Sequence, residues 1–156
     1  MKLAQALIER ADLQRKLAQL GARLQQNAQY QEGEAPAEDP QDLLTDYRRS
    51  AAALTRLIVA INRANHNVTL ADGTTMLAAL AERDRLKAEH AMLGKVADAA
   101  MADQSRYSRS EIRTLAAVDI RALRREADNV AKCCRELDIQ IQQANWENDI
   151  AEEEAS

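Results

Sequence analysis

The sequence predicts a mainly α protein: an elongated antiparallel four-helix bundle with coiled-coil-like packing and a small two-stranded β element at one pole. Three observations carry that reading. Glycine (4) and proline (2) are scarce and phenylalanine is absent, which removes the turn formers and aromatics that a β-sandwich or barrel needs. Alanine is about one residue in five, and with Leu, Glu, Arg and Gln it makes a composition suited to long helices. Apolar residues also recur at alternating spacings of three and four in four separate segments, the pattern of shallow-angle helix packing.

The first segment, over about residues 2–29, carries Leu3, Ala6, Arg10, Leu13, Leu17, Leu20 and Leu24 on one seam. Gly21 lies inside it at a cost of about 1 kcal/mol of helix propensity, which marks it as a candidate close contact. Residues 30–40, YQEGEAPAEDP, hold four acids, both prolines and Gly33, and predict an exposed acidic connection. The second helix, 41–65, has its seam at Leu44, Tyr47, Ala51, Leu54, Ile58 and Ile61, widened by Leu57. The third, 75–102, aligns Met76, Ala79, Arg83, Leu86, His90, Leu93, Ala97 and Ala100. In the fourth, Ile120, Leu123, Ala127, Val130, Cys134, Leu137, Ile141 and Ala144 keep the alternation, with Asp119 at the N-cap. Helices of this length run to roughly 40 Å, and matched lengths suit side-by-side packing. The chain reads as a single helical domain, 1–156, closing on an acidic tail at 147–156.

Two connections do not read as long helix. Val68 and Leu70 alternate with polar neighbours ahead of Asp72-Gly73, a strong turn signal. In 110–118, SEIRTLAAV, residues Ile112, Thr114 and Val118 alternate likewise. The two stretches are expected to pair, since the second gives Val68–Leu70 a partner. The rival for 110–118 is a short helix: Ser108 and Glu111 fit a capping box, and Ile112, Leu115 and Ala116 fit helical spacing.

Net charge is −4 and the isoelectric point about 5.3, so no global basic field calls for nucleic acid or anionic membrane. No apolar run approaches the roughly 18 residues of a membrane span. Glu9 and Arg10 interrupt any leader-like segment, so a cytoplasmic location is expected. Adjacent Cys133 and Cys134 point about 100° apart on a helix and read as reduced, packed thiols. No acid stands three residues before His66 or His90, which argues against a bundle metal centre. His90 reads as a core histidine and His66 as a solvated one. Phosphate-cradling and nucleophile-elbow motifs are absent. No catalytic residue, metal or cofactor is expected, and the chain does not read as an enzyme.

Charge is unevenly distributed. Residues 104–135 hold eight bases against four acids, whereas 30–46 and 146–156 hold acids and no base. Arg106, Tyr107, Arg109 and Arg113 combine guanidinium forks with hydroxyls, the equipment of an anion site or of an inter-subunit contact with an acidic segment. Leu7 and Ile8 on the first helix, with Leu80, Met92 and Val96 on the third, lie off the main seams. A second apolar face implies a second partner, so the expected partner is another copy of the chain. The function expected is a structural or protein-interaction bundle that self-associates, with anion or nucleic-acid binding through the arginine cluster as the alternative.

MKLAQALIERADLQRKL, LIVAINRANHNVTLADGTT, ALAERDRLK, SRYSRSEI, VDIRALRREADNVAK and ELDIQIQQANW occur in this order. Together they resemble the septicolysin-like family of small bacterial proteins, largely of unknown function, over about residues 1–147. RYSRSEI and the closing Ile-Gln-x-x-Asn-Trp are the most specific parts; the EEEAS ending and the Cys133-Cys134 pair depart from the family. The resemblance implies a mostly helical fold with a small central β element. Its label implies a cytolysin, and it brings no agreed catalytic residues.

Overall fold

The structure, a computed structural model, describes residues 1–101 and 113–151. It contains four helices: α1 (Leu3–Gln26), α2 (Pro40–Asn67), α3 (Met76–Met101) and α4 (Ile120–Glu147). The chain divides into two compact units, Met1–Val68 with the segment from Gln143 onward, and Thr69–Gln142.

In the first unit, α1 and α2 form a packed hairpin. α1 stops at Asn27 because that side chain replaces the next helical turn. Its Nδ2 donates to the Arg23 carbonyl (2.9 Å) and its Oδ1 accepts from the Glu38 amide (2.9 Å). Arg23 also grips the Glu38 carboxylate, holding it below the usual range. The acidic connection is therefore pinned at its far end. Asp39 then caps α2 by accepting from the Gln41 amide (2.8 Å), with Pro40 at the first helical position. The core of this unit gathers Leu3, Ala6, Ile61 and Ile150, with Leu7, Leu57, Ala60 and Ala64 packed around them.

Ile150 reaches that core through a backbone clasp. The Ile150 amide donates to the Met1 carbonyl and the Leu3 amide to the Asn148 carbonyl, both at 2.9 Å. Lys2 Nζ lies 2.9 Å from Asp149 and lowers the carboxyl's pKa below its ordinary value of 3.8. An acid held low in this way supports the clasp above its unfolded value and withdraws that support as pH falls through its lowered value. The pair is exposed, so its worth is small. The Ile150 amide should resist hydrogen exchange at neutral pH although it lies outside any helix. Its protection should fall as pH drops below 3.8, and Asp149→Asn should abolish that pH response. Exchange at the solvent-intrinsic rate at pH 7 would contradict this.

In the second unit, α3 and α4 are joined by two ion pairs, Arg83 to Asp138 at 3.4 Å and Arg124 to Asp98 at 2.8 Å. As the α3 number rises the α4 number falls, so the helices run antiparallel. Met76, Ala79, Leu86, Ala97, Ala127 and Ile141 are buried. Asp119 caps α4 by accepting from the Ala122 amide (3.0 Å), as its position predicts.

The expected two-stranded element is not formed. Among the described residues there is no strand, only two isolated antiparallel bridges, Lys2–Asp149 and Thr69–Thr75. The Asp72-Gly73 turn does form. Gly73 takes φ +85°, the left-handed region. Leu70 donates to the Thr74 carbonyl (2.8 Å), and Asp72 accepts from the Thr74 amide (2.8 Å). The turn thus folds Thr74 and Thr75 back onto Thr69 and Leu70. A partner a few residues away closes a far shorter loop than one some forty residues on, so the local pairing wins. Residues 113–118 are neither strand nor helix, which also sets aside the helical alternative there; 110–112 lie outside the described residues.

His90 is exposed rather than a core residue. Gly21 marks no close contact: a Cβ placed there meets nothing within 4 Å.

Candidate functional site

A cleft of about 490 Å³ opens on the α3–α4 hairpin. α3 contributes Lys87 and His90; α4 contributes Ala131, Cys134, Arg135, Asp138 and Ile139. These sit at spacings of three and four, so each set shares one helix face. Small residues explain the opening. Ala131 and Cys134 do not fill the layer opposite α3, and His90, on the seam by spacing, lines open space instead.

The cleft's charges are not balanced locally. Its one carboxylate, Asp138, is engaged by Arg83, 3.4 Å away. Neighbouring cations are also occupied: Arg85 holds Glu82 and Glu89, and Lys132 faces Glu136. Lys87, His90 and Arg135 make no hydrogen bond or ion pair with any described residue. The cleft therefore presents two unpaired cations, Lys87 and Arg135, beside Ala131 and Ile139. His90, Cys134 and Asp138 share it without forming a metal site; among the described residues no three His, Cys, Asp or Glu side chains are grouped to hold an ion.

The residues singled out by sequence fare differently. Arg106, Tyr107 and Arg109 lie outside the described residues, while Arg113 is described and exposed. Leu7 packs against its own unit's core, and Leu80 and Val96 are half-buried. Ile8 and Met92 stand open, 56% and 58% exposed. Cys133 is exposed and Cys134 half-buried, both free thiols. His66 is exposed, as expected.

The sequence also holds a signal that seam counting passes over, an internal repeat. Residues 6–21 and 79–94 share Ala-Leu-x-Glu-Arg-x-x-Leu-x-x-x-x-Ala-x-Leu-Gly, and 61–65 and 141–145 share Ile-x-x-Ala-Asn. The structure repeats with it. Leu3 matches Met76, Ala6 matches Ala79 and Ile61 matches Ile141, all at most 1% exposed. Asp39 and Asp119 cap α2 and α4 alike. The Lys2–Asp149 bridge is the counterpart of Thr69–Thr75. Arg10 and Arg83 occupy one repeat position, each with a buried Nε that has no hydrogen-bond partner.

The fold is thus a tandem duplication of one helical hairpin, and the cleft lies in the second copy. Residues 10–150 match a family of unknown function, DUF6847, and the chain belongs to it. A crystal structure of a functionally unknown conserved protein from Corynebacterium diphtheriae is similar at a TM-score of 0.90 and 38% identity, covering 97% of this chain and 99% of that one. No curated protein matches.

Proposed function

We propose that the protein is a cytoplasmic helical interaction module that self-associates and works by contact rather than catalysis, its helices meeting within each hairpin by coiled-coil-like packing. The observation that carries this is a row on α3. Leu77, Ala81, Ala88 and Met92 follow one another at spacings of four, seven and four on one face, all exposed. Leu77 and Met92 bracket alanines that let a second helix approach closely. Covering such a row removes apolar area from water at roughly 25 cal/mol per Å², before association costs.

Wild-type protein is expected to scatter light as an oligomer at micromolar concentration. The variant Leu77→Glu/Met92→Glu should run as a monomer with unchanged far-ultraviolet circular dichroism, because both side chains already face water. A monomeric wild type would defeat the reading. Lysis, which the septicolysin-like label implies, is the competing proposal. No helix among the described residues is long and apolar enough to cross a membrane, and leakage of dye from liposomes on adding pure protein would favour lysis over contact.

A further inference from the structure

We propose that the α3–α4 cleft binds a small organic anion, its carboxylate or phosphate held between Lys87 and Arg135 and its apolar body laid on Ala131 and Ile139. The duplication supplies the control for this inference. In the first hairpin the positions of Lys87, His90, Cys134, Arg135 and Asp138 are held by Gln14, Leu17, Leu54, Thr55 and Ile58. Three of the five are aliphatic and none is charged. Leu17 and Leu54 are half-buried there, as seam residues are.

The second hairpin has exchanged that filling for a cavity of about 490 Å³ with cations at its edge. Packing alone gives no reason for the exchange. Large-to-small changes in a seam lose burial and leave space, and unpaired cations in one cleft repel each other. A bound anion resolves both. A guanidinium fork and an ammonium from facing helices form charge-assisted bonds to an oxyanion, and Ala131 and Ile139 cover an alkyl body. Asp138 opposes it only in part, since Arg83 pairs with that carboxylate at 3.4 Å while also facing Asp84. A metal ion fits poorly, because two of the lining groups are permanent cations.

Cys134 lines the cleft and Cys133 does not, so alkylation reports occupancy with a built-in control. N-ethylmaleimide rates would be measured on Cys133→Ser and Cys134→Ser variants with octanoate, octyl phosphate or octylamine below their micelle concentrations. At least one anion should slow modification of Cys134 by about threefold at twice its Kd, and leave Cys133 unchanged. The better of the two identifies the headgroup. Octylamine, with the same body and opposite charge, should not protect. Adding Lys87→Gln and Arg135→Gln, both exposed and tolerant of change, should abolish the effect. Absence of protection by either anion, equal protection by octylamine, or protection surviving the double substitution would each overturn the proposal. Protection that rises with protein concentration without any anion would put a second copy in the cleft and overturn it too.

Discussion

Ile61→Ala is expected to destabilise the protein by about 3 kcal/mol, within the 2–5 kcal/mol spread for buried Ile-to-Ala changes. Ile61 is 1% exposed and touches a core built from α1, α2 and the segment after α4. Its removal leaves a void bounded by Leu3 and Ala6 of α1 and by Ile150 of the segment after α4, which cannot all relax into it. In a domain of this size the melting temperature should fall by roughly 10 °C. Ile141→Ala, at the matching repeat position and equally buried, should cost a similar amount. Thermal melts followed by circular dichroism test both, and a loss below about 1 kcal/mol at either site would mean the cavity collapses.

The opposite change at the repeat's small positions should also destabilise. Ala6 and Ala79 are 0% and 1% exposed, so Ala6→Leu and Ala79→Leu each insert three carbons where no room exists. A cost of about 1–3 kcal/mol is expected for each. Ala18→Leu, on the exposed face of α1, should stay within about 0.5 kcal/mol of wild type. Urea unfolding of the three variants separates crowding from any general effect of leucine on helix formation.

The helices were legible because their information is local. Spacing at three and four needs only one helix to be read, and Asp119 and Asp72-Gly73 act on amides two or three residues away. The β pairing was misread because its partner depends on loop closure, not on alternation alone: Thr75 lies only a few residues beyond Thr69 and pairs with it. His90 was misread for a related reason. Its own spacing is that of a seam residue, but burial depends on what faces it, and Ala131 and Cys134 leave it uncovered. The cleft residues Lys87, Arg135 and Ile139 drew no notice singly. They become visible when 79–94 is laid on 6–21 and the charged positions are seen to replace apolar ones.

The clasp between Met1–Leu3 and Asn148–Ile150 also sets a schedule for the newborn chain. Everything in the Thr69–Gln142 unit is contiguous and can assemble as it leaves the ribosome. The other unit has its hairpin early but lacks Ile150 until some eighty residues more are made, about 4–16 s at 5–20 residues per second. Through that interval Leu3 and Ile61 await a covering side chain. The hairpin translated first is therefore the unit completed last, and its open core is the surface that nascent-chain chaperones would meet.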